Sequence, residues 1–93
     1  KDFYKLAQIH TERQEWKKAL GNINQALMDE SFKKQDEGLI LQGLIQFNLN
    51  DLDGAQRSFT QAQAFDDVVK SATQWLAYIE SEKKRRDYMA AGI

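Results

Sequence analysis

Ala55-Gln56-Arg57-Ser58-Phe59-Thr60-Gln61-Ala62 and, 36 residues earlier, Ala19-Leu20-Gly21-Asn22-Ile23-Asn24-Gln25-Ala26 place alanine, a bulky apolar residue and alanine at the same steps of four and three. That spacing puts all three on one face of a helix. The same shift carries Phe3 onto Leu39, Ala7 onto Gly43, Ile9 onto Ile45 and Trp16 onto Leu52, and a further 36 carries Leu39 onto Trp75. Small residues return where two helices would cross closely, and large ones where the gap between them must be filled. A single helical hairpin of arbitrary sequence would not repeat this size order in register, so the pattern reads as an internal repeat.

Apolar residues recur at helical steps along the remaining chain, with no strand-like alternation. The last stripe is Val68, Ala72, Trp75, Tyr78 and Ile79. Polar stretches separate the stripes: Thr11 to Glu15, Asp29 to Asp36 broken only by Phe32, and Asn48-Leu49-Asn50-Asp51. Asp51 is the expected N-cap of the helix after it, and Asp66-Asp67 of the last helix. The expectation is an all-α chain of five helices. A first hairpin lies within residues 1–31, a second within 35–66, and a closing helix over 67–88. With no proline in 93 residues, nothing forces a helix to stop early.

These residues resemble the tetratricopeptide-repeat (TPR) family, a 34-residue helix–turn–helix unit. The small residue of its first helix matches Ala7 and Gly43. Its Ala-x-x-x-aromatic-x-x-Ala pattern matches Ala55, Phe59 and Ala62, and, with isoleucine at the centre, Ala19, Ile23 and Ala26. The departures are a spacing of 36, with the two extra residues expected in the Ser31 to Glu37 connection, and the missing helix-ending proline. His10 and Gln46 stand where the family has tyrosine. The resemblance implies a right-handed solenoid of two repeats and a capping helix, read here as a piece of a longer protein. It also implies a non-catalytic scaffold that binds a peptide or partner helix on its concave face. By the repeat register that face carries Tyr4, Gln8 and Thr11, then Ile40, Leu44, Phe47 and Asn48, then Leu76, Glu80 and Lys83. The family's carboxylate clamp is not matched, because Tyr4, Gln8, Leu41 and Leu44 stand at its positions. An apolar peptide or amphipathic helix is therefore the expected partner. A homodimer through the same face is the alternative.

No residue pattern points to chemistry. There is no cysteine, hence no thiolate nucleophile or thiolate zinc site. His10, the single histidine, has only Glu12 and Glu15 as nearby carboxylates and reads as a core-edge side chain. No serine sits in a nucleophile motif, and no glycine-rich phosphate loop occurs. We expect no enzyme activity, no cofactor and no metal. The net charge of -1 argues against a field that gathers nucleic acid. Lys83-Lys84-Arg85-Arg86 is the one basic run, diluted by Glu80, Glu82 and Asp87 and without interleaved aromatics. No apolar stretch approaches a membrane span of about 20 residues. The segment Ala72 to Glu80 with the basic run also resembles the end of bacterial TPR proteins accompanying TonB-type systems. That likeness implies a periplasmic setting; the cytoplasm is the other expectation.

Overall fold

The computed structural model describes residues 1–92, and every regular element among them is a helix. They are α1 (Phe3–Glu12), α2 (Trp16–Met28), α3 (Gln35–Asn48), α4 (Leu52–Ala62) and α5 (Val69–Ala90). Each helix packs on its neighbours in the chain; α1 also meets α3, and α3 meets α5 through Phe47. The result is longer than a sphere of its mass would be. The radius of gyration is 13.9 Å, against about 12 Å for a compact chain of this length. No helix among the described residues is long and apolar enough to cross a membrane.

The internal repeat extends to the backbone hydrogen bonds. At the α1–α2 turn the Glu15 amide donates to the His10 carbonyl and the Gln14 amide to the Thr11 carbonyl, both at 2.9 Å. At the α3–α4 turn Asp51 donates to Gln46 at 2.9 Å and Asn50 to Phe47 at 3.0 Å. Each pair is a Schellman motif with its left-handed residue at C′. Those residues, Gln14 at φ 59° and Asn50 at φ 68°, are the only non-glycine residues with positive φ among those described. Asparagine adopts this conformation readily; at Gln14 it costs about 1 kcal/mol, which the two bonds offset. Asp51 then caps α4, its carboxylate accepting the Gly54 amide at 2.9 Å.

Two apolar clusters form around these hairpins. The first joins Ala7, Ala19, Ile23, Ala26 and Ile45. The second joins Leu39, Leu52, Ala55, Phe59, Ala62, Ala72 and Ile79, and Leu27 packs against both. Ala19 and Ala55 are both fully buried, as are Ile23 and Phe59. The matched residues therefore occupy matched surroundings. Each of the four large, fully buried side chains (Phe59, Ile23, Ile45, Ile79) contributes about 1.5–3 kcal/mol by leaving water. Gly43 is where α3 and α4 cross: a Cβ built there would lie 2.6 Å from the Phe59 ring.

Three expectations about helix ends need correcting. The connections α2–α3 and α4–α5 both run six residues, 29–34 and 63–68. The extra pair of residues is carried by α2, which has 13 residues where α4 has 11. In consequence α5, expected over 67–88, runs Val69–Ala90 and starts 34 residues after Gln35, not 36. On this shorter step the buried Ala72 and Ile79 answer to the buried Gly38 and Ile45, while Ser81, which the longer step pairs with Ile45, is exposed. Finally, neither Asp66 nor Asp67 caps α5. Its N-cap is Val68, with no side-chain bond, because Val68 is drawn into the second apolar cluster.

Candidate functional site

Helices α1 and α3 and the start of α5 border one open groove of about 380 Å³. Tyr4 and Gln8 line it from α1, Ile40, Leu41 and Leu44 from α3, and Val68 and Ser71 from the start of α5, with Lys34 and Glu37 at the rim. Ser71 also borders a second depression, formed by Gln74, Trp75 and Tyr78 on α5. The α5 contribution follows from the helix start. On the shorter step Ser71, Gln74, Trp75 and Tyr78 correspond to Glu37, Ile40, Leu41 and Leu44.

An aromatic cluster supports the α5 end. The Trp75 ring lies parallel to the buried Phe59 ring, with centroids 5.3 Å apart. Phe47 fills the angle between Trp75, at 5.6 Å, and Tyr78, at 5.5 Å. Trp75 is thereby fixed from behind and half-buried, and Tyr78 keeps 52% of its surface in water. At the other end Lys34 Nζ lies 5.9 Å from the Tyr4 ring centroid, a cation–π arrangement. Burial raises the pKa of the Tyr4 hydroxyl above 10.0, and the facing Glu37 carboxylate raises it further by favouring the protonated, donating form.

Of the ten residues placed on this face by the repeat register, Tyr4, Gln8, Ile40 and Leu44 line the groove. Phe47 lies under its aromatic end. Thr11 and Asn48 are turned onto their own helix, donating to the carbonyls of Ala7 at 2.7 Å and Leu44 at 2.9 Å. Leu76 packs against the second cluster, and Glu80 pairs with Lys84 at 3.3 Å. Lys83 reaches α4, with Nζ 2.6 Å from Asp53 and 2.7 Å from Gln56. The three α5 positions miss the groove because they rest on the longer step, and two residues rotate a helix by about 200°. A sequence signal for the true step exists: the small residues Gly38 and Ala72 stand on it.

Each cation of the basic run has an acidic partner. Besides the Lys83–Asp53 and Lys84–Glu80 pairs, Arg85 and Arg86 both bind Glu82, at 2.5 and 3.0 Å, and Arg86 also bonds Asn50. Hydrogen bonds from Arg85 and then Arg86 hold the Glu82 carboxyl at about 2, down from 4.5. A carboxyl depressed on folding adds stability that is fully present above its unfolded pKa and fades as pH falls toward the folded one. Glu82→Gln should therefore lower the urea midpoint at pH 7. The gap to the parent chain should close between about pH 4.5 and pH 2. A gap unchanged at pH 2 would mean that the carboxylate's charge is not involved.

His10 Nδ1 meets Glu15 Oε1 at 2.9 Å across the first Schellman turn. Its counterpart Gln46 donates from its side-chain amide to Ser58 Oγ at 2.5 Å, and the Ser58 hydroxyl donates to Gln42, whose amide donates to Asn24, both at 2.8 Å. This chain of polar groups ties α2, α3 and α4 together within the core, and no covered side-chain donor or acceptor among the described residues lacks a partner. Comparison with protein-family models, with curated proteins and with solved structures gives no match for this chain.

Proposed function

We propose that the chain is a TPR-like protein-binding module that holds an apolar peptide or a partner helix in the groove across α1, α3 and α5. The observation that carries this reading is the groove's composition. Ile40, Leu41, Leu44 and Val68 give it an aliphatic lining, and Ser71 at its edge also borders the Trp75–Tyr78 depression. A helix such as α3 that carries apolar residues on two faces buries one and offers the other. Here Leu39, Gly43 and Ile45 are buried, while Ile40, Leu41 and Leu44 keep part of their surface in the groove. Aromatic side chains fixed from behind, as Trp75 is by Phe59, give contact area at little entropic cost. The repeated Schellman turns and the Ala–bulky–Ala pattern support the TPR-like reading. So does the shorter step to α5, which equals the usual repeat length of that family.

The test is selection of displayed random peptides on the immobilised chain, followed by affinity measurement of those enriched. Leu44→Glu and Tyr78→Asp should each weaken binding at least about tenfold. Gln61→Glu, on the exposed side of α4, should leave it unchanged. Helicity by circular dichroism must be retained in all three. Enriched peptides indifferent to both groove variants would sink the assignment. A chain found dimeric by light scattering, and made monomeric by Tyr78→Asp, would establish self-association through this face instead.

A further inference from the structure

Resting on that reading, we infer that Phe47 is a positioning residue: it borders neither the groove nor the depression beside it, yet it sets the Tyr78 ring for contact with the bound segment. A half-exposed ring on the outside of a helix, as Tyr78 is, ordinarily samples several χ1 rotamers. Here two rings stand against it. Phe47 lies 5.5 Å away, tilted by 48°, and Trp75 lies 5.9 Å away, edge on at 81°. Phe47 also meets Trp75, at 5.6 Å and 60°. All three separations fall in the range where tilted and edge-to-face rings attract. The rings therefore close a triangle. Two of its corners, Trp75 and Tyr78, belong to α5, and Phe47 is the corner that ties them to α3.

The repeat does not itself require an aromatic ring at this place. The matching position of the first hairpin, 36 residues earlier, is Thr11, whose hydroxyl is turned onto its own helix. The seat of α5 is carried by other residues as well: Ala72 and Ile79 are fully buried in one cluster with Leu52, Ala55 and Phe59 of α4, and Phe47 packs against that cluster only partly buried. What the Phe47 ring adds is the restraint on Tyr78. A side chain already restrained loses less rotamer freedom when a partner seats on it. An occupant thus gains affinity from Phe47 without touching it. Leucine at this position would stay apolar but would lack the ring that pairs with Tyr78, which would then regain its rotamers.

The experiment is a double-mutant cycle, read with the displayed peptides that the parent chain enriches. Their affinities are measured for the parent, Phe47→Leu, Tyr78→Ala and the double variant, with helicity checked for each. Phe47→Leu should weaken binding about three- to tenfold, the range of an aromatic pair. In the chain that already carries Tyr78→Ala, the same change should cost less than about twofold. Phe47→Tyr, which keeps the ring, should bind as the parent does. Proton NMR gives a readout that needs no peptide: Phe47→Leu should move the Tyr78 ring resonances and leave those of Tyr88 in place. Should Phe47→Leu fail to fold, Phe47→Met takes its place in the cycle. Three results overturn this inference and leave the groove assignment standing: peptides weakened by Leu44→Glu but indifferent to Tyr78→Ala, losses that multiply in the double variant, and Tyr78 resonances that do not respond. No enrichment on the parent chain overturns both.

Discussion

Phe59→Ala should lower stability by about 3–5 kcal/mol, the range for emptying a fully buried aromatic site. For a domain of this length that is a fall of roughly 15–30 °C in Tm. Phe59 has no exposed surface, lies under the α3–α4 crossing at Gly43 and backs the Trp75 ring. The hole cannot refill cheaply from Ala55, Ala62 and Ala72 of the same cluster, which have nothing to extend. Trp75 should also lose its rigid support, so its fluorescence should shift to the red before the global transition. Thermal melts followed by circular dichroism and by tryptophan emission test both points. A loss below about 1 kcal/mol would mean that α5 simply closes onto α4, and that the aromatic end of the groove is not built on Phe59.

Glycine to alanine should act in opposite directions at two helix interiors. Gly21 in α2 is exposed, and a Cβ there would meet no heavy atom within 4 Å. Gly21→Ala should stabilise by about 0.5–1 kcal/mol through the lower entropy of the unfolded chain and better helix propensity. Gly43 in α3 has the same intrinsic preference to become alanine. Its Cβ, however, would lie 2.6–2.8 Å from three carbons of the Phe59 ring, which is enclosed and has no free direction in which to retreat. Overpacking of this kind costs about 1–3 kcal/mol and should outweigh the propensity gain. Urea melts of the two variants would show the sign of each. A stabilised Gly43→Ala would show that α3 and α4 can separate freely, and that the close crossing is not what ties the second hairpin together.

The core was legible because it depends on local order. Ala19, Ile23 and Ala26 share a helix face whatever the helix packs against, and so do their repeat counterparts Ala55, Phe59 and Ala62. All six are buried. Both turns between paired helices could be placed from Asp51 and the polar runs. The ends of α4 and α5 were less legible. Asp66 and Asp67 look like caps, but Val68 gains more by entering the second apolar cluster than a carboxylate gains by capping, and α5 starts after it. Of the residues that the register names on α1 and α3, Tyr4, Gln8, Ile40 and Leu44 line the groove and Thr11, Phe47 and Asn48 do not. On α5 the longer step names Leu76, Glu80 and Lys83, whereas the shorter step names Gln74, Tyr78 and Ser81, of which Gln74 and Tyr78 border the depression beside the groove. Lys34 could not be read as a groove residue from its own surroundings in the chain, since what brings it there is the ring of Tyr4, on a different helix.

Periodicity and side-chain volume are written in the order of residues. They suffice to make this protein all helix, to make its two hairpins alike, and to choose which small and large residues meet at their crossings. The rotation of α5 against α3 and α4 is a matter of packing instead. A helix has the same periodicity at every rotation about its axis. Only the fit of Ala72, Trp75 and Ile79 against α4 selects one, and that selection places Trp75 and Tyr78 at the end of the groove.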